Sequence, residues 1–199
     1  MIRKLLESPR VYELSQLFWY KPGKQAEFVS DYACARPGEQ VLDIGCGVGA
    51  VAQYFPDVEY HGFDSNRGYV EYANRKYGSR GRFTHGEIGK DVTVEPERYD
   101  LVMANGILHH LDDRHVLDLL TLSYTALKPG GRFVTRDGCF EDEQGTMVRQ
   151  LLRRDRGKHV RTREGYQRLI DQVFSKSQAV ILRDMLRLPY SLIVFQCRK

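Results

Sequence analysis

Residues 41–50 read Val-Leu-Asp-Ile-Gly-Cys-Gly-Val-Gly-Ala and indicate the fold more clearly than any other stretch of the chain. Apart from Asp43, the segment from Val41 to Ile44 is short and apolar, which is typical of a buried strand. Three glycines follow at alternate positions, so the chain can turn sharply and a ligand can approach its backbone. The pattern predicts a strand, a glycine loop and a helix that begins near Val48.

Strand and helix patterns alternate away from this loop. The apolar spacing predicts strands at 59–63, 81–84, 99–104 and 132–136, and helices at 24–35, 48–55, 66–77 and 112–127, with a turn at 128–131. Strands that alternate with helices of this length require crossover connections, so we expect an α/β fold with a doubly wound, mostly parallel sheet. Thr162 is placed to cap a later helix, and two strands near 178–184 and 191–197 predict an antiparallel end to the sheet.

The composition is that of an ordinary globular protein. The chain has 199 residues, of which 42% are hydrophobic and 28% charged, and this length fits a single domain spanning residues 1–199. No apolar run is long enough to cross a bilayer. The cysteines, at positions 34, 46, 139 and 197, show no CxxC spacing. We therefore expect reduced thiols, a cytoplasmic protein and no metal site.

The charge of Asp43 bears on which ligand the glycine loop binds. Residues 45–50 satisfy the GxGxxA fingerprint of dinucleotide sites, so NAD is one alternative. A carboxylate two residues before Gly45 would repel a pyrophosphate, because a close like-charge contact costs about 4 kcal/mol at an effective dielectric near 20. The same carboxylate attracts an ammonium or a sulfonium group. The loop therefore favours a positively charged nucleoside over a dinucleotide.

Asp64 supports a nucleoside ligand. It ends the second predicted strand, 19 residues after Gly45, where an acid can accept hydrogen bonds from both ribose hydroxyls. The alternative is a structural role, in which Asp64 or Ser65 caps the following helix. The spacing between the loop and the acid favours the ribose role.

Five motifs occur in one order along residues 38–137. They are Val-Leu-Asp-Ile-Gly-Cys-Gly-Val-Gly, Gly-Phe-Asp, Tyr-Asp-Leu-Val-Met-Ala-Asn, Leu-His-His-Leu-Asp-Asp and Leu-Lys-Pro-Gly-Gly-Arg-Phe. Together they resemble the class I S-adenosyl-L-methionine-dependent methyltransferases, and within them the small-molecule branch. The resemblance implies a seven-stranded sheet with an antiparallel C-terminal hairpin, S-adenosylmethionine as cofactor, and transfer of its methyl group to a small-molecule acceptor.

The resemblance also implies which residues bind the cofactor. The methionine portion would lie against the glycine loop, the ribose at the end of the second strand, and the adenine beside residues 86–87, where the family commonly has Gly-Asp. The loop after the fourth strand would face the cofactor as well. The expected cofactor-binding residues are Asp43, Gly45, Cys46, Gly47, Asp64, Ser65, Gly86, Glu87, Asn105 and Gly106.

His109 and His110 are the candidate catalytic residues. They follow the fourth strand, and ligands of open parallel sheets lie beyond the carboxyl ends of the strands. A histidine there could deprotonate a substrate hydroxyl, which favours O-methylation. Since neighbouring side chains point to different sides of a regular backbone, we expect only one of the two in the pocket. The alternative is that both merely order the loop.

The segment after the fifth strand is strongly basic, with eight Lys or Arg and two acids over residues 149–168. One hypothesis is that the acceptor is anionic or is linked to an anionic carrier, because arginine binds phosphate and carboxylate well. The alternative is a solvated helix face with weak surface ion pairs. A nucleic-acid partner is disfavoured, since basic and aromatic residues are not interleaved.

These expectations divide the domain into four parts. Residues 1–36 form a helical N-terminal lid, 38–137 the cofactor-binding core, 138–177 an acceptor-side insertion and 178–199 the C-terminal hairpin. Aromatic residues of the lid at positions 12 and 18–20 could cover the cofactor or pack as core. Two other functions stay open at this point: an NAD-dependent oxidoreductase, and a catalytically inactive nucleoside-binding or scaffold protein.

Overall fold

The sheet has the predicted doubly wound α/β architecture. A computed structural model describes residues 8–87, 93–155 and 157–199. Seven strands follow one path in the order β3-β2-β1-β4-β5-β8-β7, and the short β6 pairs with β5 beside that path. The strands are β1 Gln40–Ile44, β2 Glu59–Asp64, β3 Arg82–His85, β4 Tyr99–Asn105, β5 Leu127–Phe140, β6 Arg161–Thr162, β7 Lys176–Leu182 and β8 Leu192–Arg198.

Strand directions confirm the predicted parallel core and antiparallel end. β1 to β5 pair in parallel, whereas β8 is antiparallel to both β5 and β7. Successive side chains of a strand point to opposite faces, so neighbours such as Val41 and Leu42 belong to different apolar clusters, one on each face of the sheet. Covering both faces with helices is what allows a parallel sheet to be apolar throughout.

The helices expected at 66–77 and 112–127 form within one residue of their expected bounds. Asn66, rather than Asp64 or Ser65, caps its helix, since its side chain accepts a hydrogen bond from the backbone N–H of Tyr69. Thr162 caps the late helix as predicted. The helices are Pro9–Trp19, Lys24–Glu27, Arg67–Tyr77, Asp113–Ala126, Thr146–Arg153 and Arg163–Ile170.

Three local predictions were wrong. The helix expected at 48–55 is a five-residue 3₁₀ helix, Ala50–Tyr54. It begins late because Gly49 is left-handed, with φ +74°, and it ends before Pro56 because the residue preceding a proline disfavours helical backbone. The helix expected at 24–35 changes after Glu27 into a π-helix, Phe28–Ala33. The turn expected at 128–131 is an irregular start of β5, where the register against β4 shifts between Tyr99 and Leu101. In the described ranges, every helix is too short or too polar to cross a membrane.

Candidate active site

A cavity of about 660 Å³ opens at the carboxyl ends of β1, β4 and β5. Its walls come from the glycine loop, the loop after β4, the end of β5, the N-terminal helix, and the segments around residues 151–155 and 186–192. Eight of the twelve expected cofactor-binding and catalytic residues line it, namely all of those numbered 43–47 and 105–110. The cavity is therefore where the sequence predicts the reaction site.

The glycine loop is held in a form that side chains would block. Gly45 has φ +73°, and a Cβ there would lie 2.2 Å from Cδ1 of Ile107 in the loop after β4. At Gly49 a Cβ would lie 2.6 Å from the ring of Phe83 on β3. The two glycines thus allow the loop to pack against both neighbouring strand ends while its backbone borders the cavity.

Asp43 is a buried carboxylate at the cavity, with 2% of its surface exposed. The hydroxyl of Tyr60 donates a hydrogen bond to its Oδ2, while Oδ1 has no partner among the described residues. Burial raises the pKa of Asp43 to about 7, with a smaller contribution from Asp64, although Tyr60 and Arg136 act in the opposite direction. An unpartnered buried carboxylate oxygen is costly unless a ligand satisfies it.

Arg136 provides the opposite charge at the same cavity, and the sequence reasoning missed it. It is 5% exposed, its Nη2 donates to Oε1 of Gln25 at 3.0 Å, and its Nη1 has no partner among the described residues. The guanidinium stacks on Phe28, 4.1 Å from the ring centroid. Nearby, Asn105 is half-buried, and neither of its solvent-shielded amide atoms has a hydrogen-bond partner in the described chain. A charged pair, Arg136 and Asp137, at the end of an apolar strand was the available signal.

Asp64 and the other expected nucleoside residues lie beside the cavity rather than among its lining. Asp64 accepts hydrogen bonds from the backbone N–H groups of Gly47 and Asn66, each at 2.8 Å. Burial raises the pKa of Asp64. Ser65, Gly86 and Glu87 follow the carboxyl ends of β2 and β3, next to this carboxylate. The structure thus joins Asp64 to the glycine loop, and the roles of these four residues stay predictions.

His109 and His110 both line the cavity, which corrects the expectation that only one of them would enter it. They belong to a short 3₁₀ helix, Leu108–His110, and their rings lie 4.2 Å apart. His109 is buried between two carboxylates, whereas His110 is exposed. The tight helical turn, rather than an extended backbone, brings the two rings to the same side.

The N-terminal helix covers one side of the cavity. Tyr12 stacks on Tyr69 at 4.9 Å between ring centroids, and both line the cavity together with Trp19 and Tyr20. Phe18 does not, since it is 66% exposed on the outer face. The helix closes over the site as a lid would, although the lid role itself stays a prediction.

A buried acid that the sequence did not reveal anchors this helix. Glu13 is 5% exposed and accepts hydrogen bonds from Tyr72, Tyr77 and Lys76 of the helix Arg67–Tyr77. Burial alone would raise the pKa of Glu13, but these three donors lower it below its usual value. The carboxylate thereby fixes the N-terminal helix to the helix Arg67–Tyr77.

Among the described residues of the basic segment, Arg154 is the cation that lines the cavity. Arg161 forms an ion pair with Asp113 at 2.7 Å, and Arg149 donates to the carbonyl of Glu141, so these two arginines serve local structure. Arg154 lines the cavity and makes no ion pair with any described residue, whereas its neighbour Arg153 is exposed outside the cavity. Within the described residues, no group of three or more His, Cys, Asp or Glu could hold a metal ion.

Part of the chain is similar to known proteins. A family model described as a methyltransferase domain matches residues 41–131. Phosphoethanolamine N-methyltransferase 1 of Triticum aestivum is 29% identical over 118 residues, which is 57% of this chain but 23% of the relative. The chain thus spans about a quarter of the relative's length.

Solved structures share the fold. Phosphoethanolamine N-methyltransferase 2 of Haemonchus contortus, in complex with S-adenosyl-L-methionine, matches with a TM-score of 0.72 at 14% identity, over 89% of this chain and 52% of that one. Geranyl diphosphate C-methyltransferase of Streptomyces coelicolor A3(2), in complex with S-adenosyl-L-homocysteine, matches with a TM-score of 0.68 at 17% identity, over 87% of this chain and 74% of that one. At these identities the likeness establishes the fold.

Proposed function

Starting from a chain that carries a class I S-adenosylmethionine-dependent methyltransferase domain, we propose that it transfers the methyl group of this cofactor to a small, anionic acceptor. The observation that carries the proposal is a pair of buried, opposite charges at one cavity. Asp43 and Arg136 each keep a polar atom that no described residue satisfies. A zwitterionic ligand would satisfy both.

The amino-acid end of S-adenosylmethionine is such a zwitterion. Its ammonium group suits the carboxylate of Asp43, and its carboxylate suits the guanidinium of Arg136. A dinucleotide would instead bring a pyrophosphate toward Asp43 and the five-residue 3₁₀ helix that follows the loop. So short a helix has few aligned peptide dipoles with which to stabilise that charge. The charge pattern therefore supports S-adenosylmethionine over NAD.

The remaining cofactor contacts are proposed by position. The nucleoside would extend from the glycine loop toward Asp64, with Ser65, Gly86 and Glu87 around the ribose and adenine. Asn105 and Gly106 would border the methionine end, because they line the cavity opposite the loop. The acceptor would then lie farther along the cavity, near His110 and Arg154.

Methyl transfer requires an acceptor held in line with the sulfonium. The bound cofactor supplies the electrophilic methyl group, and the protein supplies placement, which can be worth about 7–11 kcal/mol of the barrier. The aromatic rings of Tyr12, Trp19 and Tyr20 line the cavity, exclude water and favour a nearby cation. For a hydroxyl acceptor, we propose that His110, the exposed imidazole of the pair, accepts the proton that the hydroxyl group loses.

The position of Arg154 in the cavity is the observation that favours an acceptor with an anionic group. It is a cavity cation without an ion pair among the described residues, so a phosphate or carboxylate can bind it at little cost in broken contacts. Arg154→Gln should raise KM for the acceptor about tenfold and leave cofactor affinity unchanged. Arg153→Gln, just outside the cavity, is the matched control. Equal effects of the two substitutions would contradict the assignment.

Turnover tests the reaction itself. The purified chain is incubated with methyl-labelled S-adenosylmethionine and a pool of small metabolites, and labelled products are identified by mass spectrometry. We expect label on an anionic metabolite, at oxygen, with loss of that product in His110→Gln. Binding of cofactor without label transfer to any acceptor would favour an inactive nucleoside-binding protein.

A further inference from the structure

Both ring nitrogens of His109 face carboxylates. Nδ1 lies 2.8 Å from Oδ1 of Asp137, and Nε2 lies 3.4 Å from Oδ1 of Asp155. The ring is buried, with 8% of the residue exposed. A neutral imidazole has one N–H donor and one acceptor nitrogen, so it can donate to a single carboxylate, whereas an imidazolium can donate to both. The arrangement therefore fits the charged form.

The partners of His109 come from separate parts of the chain. Asp137 lies on β5, and Asp155 follows the helix Thr146–Arg153. Asp155 in turn accepts a hydrogen bond from the hydroxyl of Tyr190, at 2.7 Å, in the connection between β7 and β8. All four residues line the same cavity. One imidazole thus connects the loop after β4 with three other cavity walls.

The chain after Asp155 is fitted closely around the same ring. A Cβ at Gly157 would lie 2.0 Å from Cδ2 of His109, so a side chain there would displace the imidazole. The backbone N–H of His159 donates to the carbonyl of His109 at 2.9 Å. This packing holds the segment that bears Arg154 against the loop after β4.

We propose that His109 is a positioning residue, an imidazolium that clamps the Arg154 segment and the Tyr190 connection onto the acceptor side of the cavity. This proposal rests on the proposed function in one respect, namely that the acceptor binds on this side of the cavity. It removes His109 from the role of general base, because neither ring nitrogen keeps a free lone pair. The base for a hydroxyl acceptor is then His110.

The charges around the ring agree with this role. Asp137 and Asp155 face it directly, and the ring of His110 lies 4.2 Å away. Behind these groups, Arg161 donates to the carbonyl of Leu108, and the hydroxyl of Tyr166 donates to that of Gly138. Burial alone would lower the pKa of His109, but its hydrogen bonds to Asp137 and Asp155 raise the pKa to about 9.

Because the imidazolium of His109 is charged, the stability of the folded chain should depend on pH. Since the pKa of His109 is higher in the folded chain than the usual value near 6.5, its contribution is complete below that value and is lost as pH rises toward about 9. Asp155 shows the counterpart: burial would raise its pKa, yet the hydrogen bonds from His109, Gly157 and Tyr190 lower it. Alkaline pH should therefore release the segment around Arg154.

Nuclear magnetic resonance of the ¹⁵N-labelled full chain tests the charge state. The His109 signals are assigned by their loss in His109→Gln. We expect both ring nitrogens to carry protons at pH 7.5, with a deprotonation midpoint near 9, and Asp155→Asn to lower that midpoint by about one pH unit. A bare ring nitrogen on His109 at pH 7.5 would overturn the proposal.

Thermal unfolding between pH 7 and 9.5 gives a second readout. Wild-type Tm should fall across this range more steeply than that of His109→Gln, and Tyr190→Phe, which removes only the hydroxyl that donates to Asp155, should show a reduced slope. His115→Gln is the control, since His115 contacts Asp112 in the same way at 2.7 Å but both side chains are more than half exposed. Identical slopes in wild type and His109→Gln would also overturn the clamp.

Binding of S-adenosylhomocysteine separates this proposal from the proposed function. If the wild-type chain fails to bind this ligand, the methyltransferase proposal fails, while the resonance result still decides whether His109 is an imidazolium. If the ligand binds and His109 has a bare nitrogen, only the clamp is wrong.

Discussion

Asp43 and Arg136 lie at one cavity as buried, opposite charges, close enough that the guanidinium lowers the pKa of the carboxylate. The two groups do not hydrogen-bond to each other, and Oδ1 of Asp43 and Nη1 of Arg136 both lack hydrogen-bond partners in the described chain. Two unsatisfied groups of opposite charge are expensive in a folded protein that never binds a ligand. The zwitterionic end of the proposed cofactor would satisfy both groups.

Arg136 should recognise the carboxylate of the cofactor. Arg136→Gln removes the charge and is expected to weaken S-adenosylhomocysteine binding by about 2–3 kcal/mol, or roughly 30- to 150-fold. Isothermal titration checks this, with a decarboxylated cofactor analogue as the second ligand. The analogue should bind wild type and variant with similar affinity, since it has no group for Arg136 to hold. An equal loss for both ligands would mean that the substitution acts through folding.

Cofactor affinity should depend on pH through Asp43. Its pKa of about 7 means that lowering the pH neutralises the carboxylate that attracts the ammonium group. Affinity for S-adenosylhomocysteine should thus be constant above about pH 7.5 and fall by up to tenfold per pH unit below 7. In Asp43→Asn this dependence should disappear. Isothermal titrations of the wild-type chain at pH 5.5, 6.5 and 8 measure this. An affinity for S-adenosylhomocysteine that stays the same at all three pH values would contradict the role of Asp43.

Glu13 should contribute to the stability of the folded chain by holding the N-terminal helix against the helix Arg67–Tyr77. Glu13→Gln leaves the donors of Tyr72, Tyr77 and Lys76 facing a neutral amide, and we expect a loss of about 1.5–3 kcal/mol. For a chain of this size the loss corresponds to roughly 3–12 °C in Tm. Calorimetry measures it, with Glu71→Gln, at an exposed position of the facing helix, as the control. A Tm unchanged in both variants would show that the anchor contributes nothing.

Local patterns were sufficient for most of the fold. The apolar run at Val41–Ile44, the spacing of β-strands and helices, and the cap at Thr162 depend on neighbouring residues, and the structure has them where they were predicted. The late start of the helix after the glycine loop was missed because Gly49 is left-handed and fits closely against Phe83, which is distant in sequence.

The residues of the candidate site also fall into those that local sequence predicts and those that it does not. Asp43 and the glycine loop lie within one contiguous motif and could be identified, whereas Arg136, Glu13 and the partners of His109 act across long sequence separations. The pair of His109 and Asp155, for example, forms only when the chain folds back over the loop after β4. Such contacts leave weak local signals, so the sequence suggested His109 as a base and the structure assigns it a different environment.

The central claim is that the cavity binds a nucleoside bearing an ammonium group, and that Asp43 holds this group. Isothermal titration of S-adenosylhomocysteine and of NAD into wild type and Asp43→Asn at pH 8 tests it most directly. We predict that S-adenosylhomocysteine binds wild type, that Asp43→Asn weakens this binding by about 2 kcal/mol or more, and that NAD does not bind. Unchanged affinity in Asp43→Asn, or binding of NAD in preference to S-adenosylhomocysteine, would contradict the account.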